Sequence, residues 1–170
     1  MKTAIVLATL VVLLVATSNS CATPQADASW AELVAHLGSS PTGTAFQAFV
    51  ETQHLRPAPL PYLSNSNGSF NIMVEGPTVT TDRAITRIAV LVDKYRGTLP
   101  FNLNSTDSLN EVRRKLRASL GEPTKTKEGY CLLYETHHIG VYFSNGKLFT
   151  VEQWLAPKKR NEEGRQQPPP

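Results

Sequence analysis

Apolar positions along the chain fall first on a helical period and then on an alternating one. Trp30, Leu33, Val34 and Leu37 share one stripe of a helix. Ser29, with Glu32 three places on, makes a capping box at its start, and Gly38 closes it. Ala45, Phe46, Phe49 and Val50 give a second stripe. A helix is therefore predicted over 44–54, stopped by Pro57, Pro59 and Pro61. The period then drops to two. A short extended piece starts at Tyr62, and Asn65-Ser66-Asn67-Gly68 reads as a hairpin turn. Over 69–75, Phe70, Ile72 and Val74 alternate with Asn71, Met73 and Glu75. Another strand is predicted over 84–92, with Ile88, Val90 and Val92 opposed to Arg87 and Ala89.

After a connector over 93–104 the same order returns. Ser108 and Glu111 form a second capping box, and Leu109, Val112, Leu116 and Leu120 make the apolar stripe of a helix closed by Gly121 and Pro123. Arg113, Arg114, Lys115 and Arg117 lie mostly on its other side and read as a solvated face. A loop over 124–129 leads into three strands, over 130–135, 138–144 and 147–155, the last two joined by Asn145-Gly146. Phe46 and Phe49 precede Leu109 and Val112 by 63 positions, as Ile85, Ile88 and Val92 precede Leu148, Val151 and Leu155. Phe70, Ile72 and Val74 precede Ile139, Val141 and Phe143 by 69. The pattern predicts an α+β fold, a helical layer packed on one face of an antiparallel sheet, made of two tandem helix-plus-strands units at about 45–92 and 109–155 of a single domain over 29–155.

The ends read differently. Met1-Lys2 and the apolar run from Ala4 to Ala16 have the form of a secretory signal, too short to span a bilayer core of about 30 Å. Ser18-Asn19-Ser20-Cys21 resembles a bacterial lipoprotein processing site with Cys21 as the lipidated residue; ordinary cleavage near 16–22 is the alternative. Residues 1–21 are thus a signal segment, 22–28 a polar linker, and 156–170 a basic, Pro-rich tail expected to be disordered. An extracytoplasmic protein is expected, periplasmic or membrane-anchored through that lipid, with plain secretion as the alternative. Cys131 is then a small buried apolar residue, or a disulfide partner of Cys21 if cleavage falls before it.

Charge narrows the partners. The formal charge of the chain is +3, but over 22–155 Lys and Arg balance Asp and Glu at 12 each. A neutral body lacks the electrostatic footprint of a nucleic-acid binder. No GxSxG, HExxH, P-loop or paired CxxC motif occurs. His36 and His54 fall near helix ends, and His137-His138 alone would not chelate a metal. No enzyme, cofactor, metal or small-molecule substrate is expected. Asn67-Gly68-Ser69 and Asn104-Ser105-Thr106 are glycosylation sequons that otherwise read as turn chemistry.

The segments Ser108-Leu109-Asn110-Glu111-Val112, Leu120-Gly121-Glu122-Pro123, Gly140-Val141-Tyr142-Phe143 and Gly146-Lys147-Leu148, with Tyr130 and Tyr134 between, resemble the β-lactamase-inhibitor-protein-like fold shared with small outer-membrane assembly lipoproteins. The resemblance covers about 45–155. It implies a non-enzymatic domain that binds other proteins through an exposed sheet face. The inhibitors' intra-unit disulfides are missing here, which argues against a β-lactamase target.

Period two separates the faces. The helices are expected to cover Phe70, Ile72, Val74, Ile88, Val90, Cys131, Leu133, Ile139, Val141, Phe143, Phe149 and Val151. The other face receives Asn71, Leu132 and Thr150 together with the candidate partner-binding residues Met73, Arg87, Tyr134, Tyr142, Glu152 and Trp154. Large aromatics there suit a protein partner; pairing across strands is the alternative, and a one-residue slip in register would exchange the two sets. The expected function is an envelope protein that binds another protein, with inhibition in the manner of an immunity protein as the sharpest version; the alternative is a structural accessory lipoprotein of an envelope assembly, and a periplasmic enzyme comes third.

Overall fold

Residues 26–58, 61–75, 83–127 and 130–156 are described by the computed structural model. The expected signal segment, Cys21 and residues 157–170 of the expected tail lie outside them. Three helices form where the stripes predict. Helix α1 (Trp30–Ala35) and α3 (Leu109–Leu120) carry the two capping boxes, with Ser29 and Ser108 each accepting from the N3 amide while Glu32 and Glu111 reach back. These hydrogen bonds hold both glutamates below the usual carboxylate range. Helix α2 spans Thr44–Thr52, two residues shorter than predicted, because His54 takes a positive φ of 50°.

Eight strands make one antiparallel sheet: β1 (Arg56–Pro57), β2 (Tyr62–Ser64), β3 (Phe70–Glu75), β4 (Ala84–Leu91), β5 (Lys125–Lys127), β6 (Cys131–Tyr134), β7 (Ile139–Ser144) and β8 (Lys147–Trp154). Their spatial order is β1-β2-β3-β4-β8-β7-β6-β5, so the strands that end each half, β4 and β8, meet in the middle. The β7–β8 turn uses Asn145 and Gly146 at φ of 52° and 74°, the paired positive values a two-residue hairpin needs. One face of the sheet is covered by the helices. Leu33, Phe46, Val112 and Leu116 join Phe70, Ile72, Val74, Ile88, Val90, Val141 and Val151 in one buried cluster.

Each half has a bulge. Pairing shifts between Met73 and Val74 of β3 against β4, and between Tyr142 and Phe143 of β7 against β8. Thr86 and Phe149 are the extra residues, 63 positions apart. The bulge is what lets Ile85 and Ile88, and likewise Leu148 and Val151, be buried together although three apart.

Two sequence expectations fail here. Phe149, expected in the core, is 44% exposed, and Leu148 is buried in its place, because the bulge breaks the alternation. Strand β6 is slipped by one: Leu132 and Tyr134 are buried, paired with Val141 and Ile139, while Cys131 and Leu133 face away. Tyr134 is therefore core and not a partner-binding residue. Four consecutive apolar side chains gave period two nothing to choose by. The predicted loop over 124–129 also contains the edge strand β5, whose Lys-Thr-Lys sequence carries no strand pattern.

The segment before α1 is stitched to the sheet. Asp27 accepts from the Asn65 amide at 2.9 Å and from the Arg96 backbone at 2.7 Å. The Tyr95 hydroxyl donates to the Ala28 carbonyl at 2.6 Å. Burial, then the carboxylates of Asp27 and Glu32, push the Tyr95 pKa up to about 12. A tyrosine in the unfolded chain ionises near pH 10. This group's contribution is thus complete below about pH 10 and lost as the pH climbs through about 12. Urea titrations across that window should show a steeper fall in stability for the native chain than for Tyr95→Phe; parallel curves would place the phenol in water.

Candidate functional site

The face turned away from the helices is built of cross-strand rows. One row runs Tyr62, Met73, Arg87, Trp154. The next runs Ser64, Asn71, Ala89, Glu152, Gly140, Leu133, Lys125. The third runs Leu91, Thr150, Tyr142, Cys131, Lys127. None of Met73, Leu91, Leu133, Tyr142 and Trp154 belongs to the buried cluster or packs against it. The edges are poor templates for another strand. Strand β1 holds Pro57, and β5 presents Lys125 and Lys127.

At the centre lies a carboxylate. Glu152 is only 7% exposed although it sits on the open face. Its Oε1 accepts from the Tyr142 hydroxyl, and its Oε2 meets the Arg87 guanidinium at 3.4 Å. Gly140 makes room for this group. A Cβ there would stand 3.0 Å from the Tyr142 ring and 3.1 Å from Glu152 Cγ, so the ring and the carboxylate stem lie over bare backbone. Burial first, then the hydrogen bond and charge of Glu152, push the Tyr142 pKa above its usual value, which keeps it a donor. Arg87 is half-open, and four of its five N–H donors remain for another acceptor.

Beside this cluster is an open depression of about 670 Å³, lined among others by Arg87, Lys127, Tyr130, Cys131, Tyr142 and Phe149. Tyr130, 64% exposed, and Phe149 are the exposed large apolar residues among those described. The Lys127 ammonium stands 5.4 Å over the Tyr130 ring. A second depression, of about 580 Å³, lies on α3 between Asn110, Arg113, Arg114, Arg117 and Glu122. Glu122 there binds Arg113 at 3.3 Å and Arg117 at 2.9 Å, and among the described residues no exposed aromatic lines it, as suits a solvated helix face.

Of the six residues singled out from the sequence, Met73, Arg87, Tyr142, Glu152 and Trp154 share the open face, and Tyr134 does not. Sequence reasoning missed Tyr62, Tyr130, Phe149 and the space left by Gly140. The 63-residue offset that pairs Ile85 with Leu148 was the signal for Phe149. Cys131, expected to be buried, is a half-buried free thiol on the open face. His138 turns with a φ of 56° and sets its ring 6.2 Å from that of Trp154. His36 is packed on Phe46 and Phe49 rather than solvated, and burial holds its pKa below the usual value. Among the described residues no three His, Cys, Asp or Glu converge as metal ligands, and no helix is long and apolar enough to cross a membrane.

No protein-family model matches the chain, and no curated protein and no solved structure matches it.

Proposed function

We propose that this is a non-enzymatic protein of the cell envelope that binds another protein across the open sheet face and blocks it. The observation that carries the reading is the face itself. Among the described residues no helix covers the second side of the eight-stranded sheet, which carries Tyr142, Trp154, Phe149 and Tyr130 and ties its buried carboxylate to Tyr142 and Arg87. Rigid, partly apolar side chains around a satisfied polar centre are the composition of an interface hot spot. The blunted edges favour contact through the face over strand addition.

The mirrored strand order and the bulges at matching places support two tandem units, and with them the likeness to the β-lactamase-inhibitor-like fold. Acylation of Cys21 would tether the domain to a membrane; secretion would free it. Capture from the native envelope, with the full chain as bait, identifies the partner. In that complex, Phe149→Ala with Trp154→Ala should weaken binding by more than about 2 kcal/mol. Arg114→Ala on α3 should change nothing. Equal binding by both variants would move the interface off the sheet.

A further inference from the structure

We infer that the depression beside Glu152 receives an acidic segment of the partner, a carboxylate side chain flanked by an apolar one. This rests on the reading of the sheet face as the docking surface and adds the chemistry of what docks. Among the described residues three charges border the depression: Arg87, Lys127 and Glu152. The negative one of these three is spent. Both oxygens of Glu152 are engaged, and the side chain is 10% exposed. The positive charges are accessible. The Arg87 side chain is 42% exposed, and its single contact with Glu152 is a long one at 3.4 Å. Lys127 has no carboxylate partner among the described residues and stands over the Tyr130 ring. Lys125, one row along, is by contrast already closed on Glu135 at 2.6 Å.

Among the described residues the accessible charges at the depression are therefore cationic. Glu152 holds the Arg87 fork in place without consuming it, so its remaining N–H groups can take a carboxylate in the paired geometry a guanidinium prefers. Tyr130 and Phe149 supply the apolar wall on which the neighbouring side chain rests. A nucleic acid would need a longer cationic track than two residues.

The probe is a blocked synthetic peptide alternating glutamate and phenylalanine, titrated into the isotope-labelled full chain and followed by amide shifts. Saturable shifts are expected at Lys127, Tyr130 and Phe149, with affinity about tenfold weaker for the glutamine version and for Lys127→Gln. Lys127 is exposed, so that variant folds. Arg87→Gln should weaken binding as well. Equal affinity for the glutamate and glutamine peptides, shifts confined to α3, absence of saturation, or competition by inorganic phosphate as strong as by the peptide would each overturn the inference. The captured partner separates the two readings. Binding indifferent to Lys127→Glu but lost with Trp154→Ala would overturn the acidic segment alone. Indifference to both would overturn the docking face itself.

Discussion

Tyr134→Ala should lower the stability of the fold by about 4 kcal/mol, whereas Tyr134→Phe should leave it unchanged or raise it slightly. The ring is among the largest fully buried side chains and lies on the helix side of β6, opposite Ile139. Truncating it removes the transfer energy of a whole aromatic and leaves a cavity the surroundings fill only in part. Its hydroxyl is another matter. The oxygen is buried with no hydrogen-bond partner among the described residues, and burial pushes the phenol pKa up. An unsatisfied hydroxyl costs about 1–3 kcal/mol, so phenylalanine keeps the packing and sheds the penalty. Chemical denaturation of the two variants measures both effects. The same pair decides the register of β6. If Tyr134→Ala folds normally and loses the proposed partner instead, β6 keeps the register expected from the sequence and Tyr134 belongs to the open face.

That strand shows where legibility stopped. The two capping boxes, the Asn145-Gly146 turn and the clean alternation of β3 and β7 could be read directly, since each is decided by neighbours along the chain. Residues 131–134 could not, because Cys-Leu-Leu-Tyr is apolar on both sides and only pairing with β7 chooses between them. The bulges were half-visible. Ile85 with Ile88 and Leu148 with Val151 are spaced by three, which no regular strand buries on one face, yet strict alternation still assigned Phe149 to the core. On the open face, Met73, Arg87, Tyr142, Glu152 and Trp154 followed from period two. Their interaction did not. Glu152 meets Tyr142 across the β7–β8 pair and Arg87 across the β4–β8 pair, over a glycine whose missing side chain only the fold makes meaningful.

The second large effect is expected at the connector. Asp107→Ala should cost about 3 kcal/mol, because it breaks a largely buried ion pair from one side. Both carboxylate oxygens of Asp107 accept from the Lys115 ammonium, at 2.9 and 2.7 Å, and Oδ2 also accepts from the Asn104 backbone N–H at 2.8 Å. Lys115 donates onward to the Asn102 carbonyl at 2.7 Å, so the pair fastens the chain between the two halves to the middle of α3. The side chains are 8% and 19% exposed. The slight opening on the lysine side lets the stranded ammonium reach water and keeps the loss at the low end for a buried pair. Replacing both residues with alanine should cost less than the sum of the single losses by more than about 1 kcal/mol; additivity within about 0.5 kcal/mol would show that the two do not act together. Neither residue reaches the open face. Affinity for the proposed partner, measured well below the unfolding midpoint, should then stay within about threefold of the native chain, as expected for distant independent sites. A larger loss would mean that the connector sets how the two halves of the face are presented, and that Arg87 on β4 and Tyr142 on β7 meet their partner only when α3 is held in place.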